Sequence, residues 1–514
     1  MSDAATFPVH RPTPGHARVP TAICWILASL FLAAIAFFYV FTYNSGYGYD
    51  ALEYLVIGRT VAHGQPFYSL IPSKSPGIYY LVAAILTFKV PANHYTVSAL
   101  ITLLFALTLL GTWLAVRDAL GYRLAIAATL LVGVCAGFME MNFLEPESLV
   151  VLSGLGAFVL VLKSVRSAKM LPLFGAGMVI AIGVQFKSVA AFYGLGIVAF
   201  LIFREMRQRT GKTRKVLRQA SVLSAGFLTA SGLPLLFFTL TGRLKEFWFW
   251  TIAFPLLHYP FNSSWLNKLY TKLLWFHLLL LVSFVCSLWS RRIRRSVWSS
   301  DAATLAFFMG LASYLALIKT QASHYCFPGA ACFSIFISVV LAAALKKFAP
   351  RFEAPARTSL VAAAGLATVL LSVVLYQPQA FARLVHWRSY AEEDLIGSQI
   401  RQQLGPGSKA IFVRNASLLH WVSGAEPAWR FVNFDLQTTY FAERNPDSLL
   451  QALRNPSTHI VEFDPANPAF EDERFRAYAN NSHLLAKFTN QIAEEFQPVE
   501  CGAAPFRFWV RKRL

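Results

Sequence analysis

Gly46-Tyr47-Gly48-Tyr49-Asp50-Ala51-Leu52-Glu53-Tyr54 comes directly after an apolar run of about 20 residues and shortly before Lys74-Ser75-Pro76-Gly77. A run of that length crosses a bilayer core, and a polar turn at such depth is tolerated only where it is buried in protein or lines a cavity. Asp50 is therefore a carboxylate at a membrane face and a candidate site residue. The composition agrees with a polytopic membrane chain. Hydrophobic residues make up 56% and charged residues only 14%, against about 25% charged in soluble domains.

Apolar runs separated by charge predict spans at 22–43, 96–116, 124–142, 149–162, 170–186, 188–203, 219–240, 273–290, 302–318, 325–345 and 358–376. These are eleven helices, an odd number that places the two chain ends on opposite sides. The stretch Gly77 to Phe88 is also apolar, but about 12 residues reach only about 18 Å as a helix, short of a core of about 30 Å. It is expected to lie in the outer interface. One set of alternate loops carries 22 Lys and Arg, the other nine. Positive charge stays inside, so residues 1–20 are expected as a disordered cytoplasmic tail ahead of an uncleaved first span. Asp50, in the first outer loop (44–95), then faces outside.

From Gln377 onward the apolar runs shrink to four or five residues, as in Ala410 to Val413, His459 to Val461 and Phe506 to Val510, between polar helical stretches at Glu392 to Leu404 and Ser448 to Arg454. That pattern predicts a small extracytoplasmic α/β domain, 377–514, after a transmembrane domain, 21–376. In 377–514, 15 Lys/Arg balance 15 Asp/Glu, so the whole net charge of +20 belongs to residues 1–376. Its place in cytoplasmic loops fits topology and contact with anionic membrane lipids, not nucleic-acid binding. The six cysteines are scattered, with no CxxC or Cys/His cluster, so no metal ligand set or disulfide framework is assigned; the cofactor is left open, a divalent metal being compatible with the sequence but not required by it. Neither a phosphate-binding glycine loop nor HExxH or GxSxG is present, which argues against soluble nucleotide chemistry.

Only eleven carboxylates occur in residues 1–376, and six of them, Asp50, Glu53, Glu140, Glu145, Glu147 and Glu246, fall at or near the outer face. Helical spacing puts Glu53 one turn beyond Asp50, beside Tyr54. Asp50 as a helix N-cap is the plainer reading. Pro146 is expected to open the next helix, with Glu145 as its N-cap and Glu147 in its first turn. Cations gather on the same face: Lys74, Lys187, Lys319 and His324, with Arg59 between the first two motifs. Snorkelling explains a lone Lys at a helix end, yet the outer side is where positive charge is otherwise sparse, so Lys187 and Lys319 invite an anionic ligand such as a phosphate. The aromatic loop Phe247 to Trp265 fits an interfacial belt, or a groove for a lipid chain or sugar with His258 near the head group.

These motifs, in this order and on one side, resemble the GT-C superfamily of integral-membrane glycosyltransferases, in the branch of protein O-mannosyltransferases and the lipid A aminoarabinose transferase. The matching residues are Asp50-x-x-x-Tyr54, Gly58-Arg59, Gly64-x-Pro66-Phe67-Tyr68, Lys74-Ser75-Pro76-Gly77-x-Tyr79-Tyr80, Glu145-Pro146-Glu147 and His324-Tyr325-x-x-Pro328. Where many relatives have Asp-Glu this chain has Asp50-Ala51, and Lys-Pro-Pro is here Lys74-Ser75-Pro76. The resemblance implies an inverting transfer of a sugar from a polyprenyl-phosphate donor to a glycan, lipid or protein acceptor outside the membrane. It would place the protein in a bacterial inner membrane. Asp50 would be the general base, supported by Glu53. Lys74, Lys187 and Lys319 would hold the phosphate leaving group. Glu147, with Glu145 in reserve, would orient hydroxyls, and Arg59, Tyr54, His258 and His324 would line the substrate site. The alternatives are a carrier or flippase for lipid-linked or anionic solutes, which would put ionisable groups near mid-span and show repeats, and a non-catalytic assembly subunit.

Overall fold

The computed structural model describes residues 21–72, 74–90, 93–208, 213–258, 274–318, 323–348, 387–405, 408–413, 416–432, 436–455, 457–463, 490–500 and 506–512. The first helix, α1 (Thr21–Ser45), leads through Gly46 to Gly48 into α2 (Tyr49–Ala62). Next come α3 (Gly77–Thr87), α4 (His94–Leu120), α5 (Tyr122–Phe138), α6 (Glu147–Ser167), α7 (Leu171–Phe186), α8 (Phe192–Gln208) and α9 (Thr213–Leu240). The helices Leu274–Trp289, Arg291–Trp298, Asp301–Ser313 and Phe327–Phe348 follow. Ten of the eleven expected spans fall on helices; 358–376 lies outside the described residues.

Length separates these helices. Among the described residues six helical stretches are long and apolar enough to cross a bilayer: His94–Leu120, Glu147–Ser167, Ser188–Gln208, Thr213–Leu240, Asp301–Ile318 and His324–Lys347. A seventh is obtained if Leu274–Trp289 and Arg291–Trp298, bent by 112°, count as one span. α5 and α7 are apolar but have only 17 and 16 residues, about 24–26 Å at 1.5 Å per residue. α3, at 11 residues, has the length expected of the short stretch after Lys74.

Two local choices shape the bundle. Asn93 caps α4, its Oδ1 accepting from Thr96 N at 3.0 Å. Between α7 and α9, a Cβ on Gly177 would stand 2.0 Å from the Leu223 carbonyl oxygen, and one on Gly226 2.0 Å from that of Phe174. Only glycine permits that backbone approach, the usual way for membrane helices to gain packing contacts.

The C-terminal part carries a five-stranded sheet: β1 (Lys409–Val413), β2 (Glu426–Pro427), β3 (Thr458–Phe463), β4 (Phe496–Glu500) and β5 (Phe506–Arg511), in the order β2-β1-β3-β5-β4. β1 pairs in parallel with β2 and β3, while β5 is antiparallel to β3 and β4. Helices Ala391–Leu404, Ala416–Ser423, Leu436–Arg444 and Pro446–Arg454 accompany it. The expected strands at 410–413, 459–461 and 506–510 and the helices at 392–404 and 448–454 all coincide with these elements.

The sheet part is tied to residues 44–71 by hydrogen bonds. Ile71 N donates to Arg430 O at 2.6 Å, Arg430 donates back to Tyr68 O at 3.1 Å, and Arg388 N donates to Asn44 Oδ1 at 2.8 Å. Tyr68, fully buried, is held at φ 67°, a left-handed conformation that costs a bulky residue energy unless its surroundings impose it.

Candidate active site

Asp50 reaches its neighbours because the helix begins earlier than an Asp50 cap would require. Gly48 holds the cap position at φ 75° with no side-chain cap bond, and α2 starts at Tyr49. A Cβ on Gly48 would meet the Phe143 ring at 2.8 Å. That glycine therefore serves twice, turning the chain and letting the Glu140 to Glu145 loop lie against it. Asp50 falls in the first turn, and its Oδ2 lies 3.2 Å from Lys74 Nζ, both side chains about one-sixth exposed.

The Lys74 turn is fixed from below by Glu53. Lys74 N donates to Tyr79 Oη at 3.2 Å, and Tyr79 Oη donates to Glu53 Oε1 at 2.6 Å. Glu53 is only 4% exposed, and through Tyr79 it anchors α2 to α3. Tyr54, fully buried, packs edge-on to Tyr79 with ring centroids 5.4 Å apart. Among the described residues its hydroxyl has no hydrogen-bond partner, and it lies near Glu145 and Asp50.

The second acidic motif differs from its expected capping pattern. α6 is capped at Pro146, without a side-chain bond, so Glu145 is not the N-cap. Its carboxylate instead joins Asp50 and His324, ligand-type atoms of all three lying within 4.8 Å of one another. Burial pushes the Glu145 carboxyl up to about 7; Asp50 and Glu147 add to the rise, and His324 and Lys187 oppose it. Glu147, in the first turn as expected, is fully buried and ion-paired with Lys187.

That pair changes the reading of Lys187. The residue is 4% exposed, its ammonium hydrogen-bonds Glu147 and sits 3.6 Å from the centre of the Tyr325 ring. Burial, the largest influence, disfavours its charge, yet Glu147 together with Tyr325 and Glu145 outweighs it and holds the ammonium above its ordinary range. A cation committed to a buried carboxylate and an aromatic face cannot also serve as the open phosphate clamp expected from the sequence. His324 bridges the two acidic groups: Nε2 is 3.7 Å from Glu147 Oε1, and Nδ1 is 3.3 Å from Glu140 Oε2. Glu140, at φ 64°, is the residue the sequence reading passed over as one more outer carboxylate.

Three expected residues stand elsewhere. Arg59 points its guanidinium at the C-terminal part, donating to His420 O at 2.6 Å and Trp421 O at 3.1 Å and lying over the Trp421 ring; both terminal nitrogens engage carbonyls there, so it acts as a strut. His258, exposed, meets Tyr440 Oη at 3.1 Å on that same part. Lys319 lies outside the described residues.

Although no metal-ligand spacing was evident in the sequence, Asp50, Glu145 and His324 offer two carboxylates and an imidazole, a donor set suited to a divalent cation. Among the described residues Glu145 Oε2 and His324 Nε2 are buried without a hydrogen-bond partner, Nε2 having only the longer 3.7 Å approach to Glu147 Oε1, and both are thus open to a ligand.

With this geometry in place, residues 73–231 match the family described as dolichyl-phosphate-mannose-protein mannosyltransferase. The whole architecture matches ArnT from Cupriavidus metallidurans bound to undecaprenyl phosphate, at a TM-score of 0.62 and 16% identity, over 95% of this chain and 98% of that one. The fold is that of the GT-C glycosyltransferases. The Archaeoglobus fulgidus oligosaccharyltransferase tethered with an acceptor peptide shares the GT-C fold at a TM-score of 0.54 and 13% identity, over 95% of this chain and 75% of that one. The archaeal oligosaccharyltransferase AglB from the same organism, with an inhibitory peptide and a dolichol-phosphate, does so at 0.54 and 12%, with the same coverage. No curated protein sequence matches the chain.

Proposed function

We propose that this protein transfers a sugar from a polyprenyl-phosphate-linked donor to an acceptor hydroxyl outside the membrane, in a bacterial inner membrane with the N-terminus cytoplasmic and residues 377–514 periplasmic. The observation that carries the reading is the meeting of Asp50, Lys74, Glu145 and His324 on elements from four separate stretches of a GT-C fold. The family match and the lipid phosphates in the structures of similar fold support the donor class.

In this reading Asp50 accepts the proton of the acceptor hydroxyl as its oxygen bonds to the anomeric carbon. The bond from that carbon to the phosphate oxygen breaks on the opposite face, which inverts the configuration, and the polyprenyl phosphate departs with the electron pair. Lys74 matches its charge, so no proton has to be delivered. Glu145 and His324 orient hydroxyls of sugar or acceptor, and Glu53 and Tyr79 hold the Lys74 turn. Glu147 and Lys187 fix the wall behind His324. A divalent cation held by Asp50, Glu145 and His324 would add positive charge for the phosphate when bound.

The test is mass spectrometry of lipid-linked sugars and envelope glycans from cells with and without the gene. Loss of one modification with build-up of its lipid-linked sugar is expected. Unchanged envelope glycans with a lipid-linked sugar stranded on the cytoplasmic face would favour a flippase.

A further inference from the structure

The helix Arg291–Trp298 lies apart from the site, at the end of the span Leu274–Trp289 and bent from it by 112°. Ser290 caps it, Oγ accepting from Ile293 N at 3.3 Å. At about 100° per residue, Ile293 and Val297 share one face. Both are buried with Phe336, Val339 and Val340, which pins the helix flat across the bundle. Arg291, Arg292, Arg294 and Arg295 occupy the opposite arc, and all four are exposed.

Among the described residues no counter-charge serves them. Among the described residues the nearby acids are engaged elsewhere: Asp301 with Arg204 and Arg207, Glu205 with Lys215, Asp118 with Arg117. None of the four guanidiniums has an ion pair or hydrogen bond among the described residues. Like charges three and four residues apart destabilise a helix, so an external anion would stabilise this one. Its location says which. The preceding span exposes Leu278, Leu281, Val282 and Val285, a surface for lipid chains, and ends in Trp289, 80% exposed. Tryptophan favours the membrane interface, so the bend sets the arginines at the depth of the lipid phosphates.

We propose that this helix is a docking surface for the phosphate head groups of anionic phospholipids, held by paired guanidinium contacts. The surface is independent of the transfer reaction, and so is its test. Full-length protein in detergent is titrated with phosphatidylglycerol and with phosphatidylcholine, and bound lipid is counted by native mass spectrometry. The wild type is expected to retain phosphatidylglycerol preferentially. The quadruple Arg→Gln variant at 291, 292, 294 and 295 should lose that preference at least tenfold, and the quadruple Arg→Lys variant should keep part of it. If the quadruple Gln variant does not fold, the pairs R291Q/R294Q and R292Q/R295Q should each give a partial loss. An unchanged preference in a folded Gln variant overturns the proposal. Full displacement of the lipid by millimolar inorganic phosphate does so too, since it would make this a free-anion site.

Discussion

Lys74 and Lys187 carry the same charge at the same face of the sequence, and the fold gives them opposite tasks. Lys74 stays partly exposed beside Asp50, whereas Lys187 is sealed against Glu147. Lys74→Gln is expected to weaken binding of undecaprenyl phosphate by about 1.5–3 kcal/mol, the worth of a hydrogen bond to a charged group, with little change in unfolding. Lys187→Gln strands a buried carboxylate and is expected to cost about 3–5 kcal/mol of stability, read as a large fall in unfolding temperature. The reverse pattern would return Lys187 to the phosphate site. Asp50, Lys74, Glu145 and His324 are legible in sequence because carboxylates are so rare in 1–376, eleven in all, that each charged group beside them at the ends of apolar runs needs a reason. The division of labour between the lysines is not legible, since burial depends on which helix ends meet. Glu140 and Tyr79 escape for the same reason: their partners are 184 and 26 residues away.

At the scale of elements, helix Ala416–Ser423 links the sheet part to α2. Its His420 is buried, shares its Nδ1 with Ala425 O at 3.0 Å, and offers its own carbonyl to Arg59. Burial, with a smaller push from Arg59, lowers the imidazole to about 3, against the opposing bond to Ala425. The unfolded chain then binds the extra proton between about pH 6.5 and pH 3, so stability is complete above 6.5 and falls with acidification, at up to about 1.4 kcal/mol per pH unit. His420→Asn, which keeps a donor for Ala425 O, should flatten that acid limb in a thermal unfolding series; an identical slope would remove His420 as its source. Gly48→Ala should be costly too, meeting both a positive φ and the Phe143 ring. The long apolar helices and strands β1, β3 and β5 are legible from run length and periodicity, whereas β2, β4 and the helices Ala416–Ser423 and Leu436–Arg444 carry no comparable apolar run and are not. Caps were less so, because Gly48 and Pro146 displaced Asp50 and Glu145 from the positions that propensity favours.

For the whole molecule, the charge asymmetry of 22 against nine supports the proposed orientation. Cysteines placed at exposed Ser296 and Ser398 are expected to label from the cytoplasmic and the outer side respectively; labelling of both from one side would overturn the topology and with it the outward-facing site. The central claim is that Asp50 performs the proton transfer of a sugar transfer from a polyprenyl phosphate. Asp50→Asn keeps size and a hydrogen-bonding edge but cannot accept the proton. With the lipid-linked donor identified and expression matched, turnover of this variant should fall at least about a hundredfold while donor binding persists. Near-normal transfer by the Asn variant would contradict the account and leave Asp50 as the ion-pair partner of Lys74.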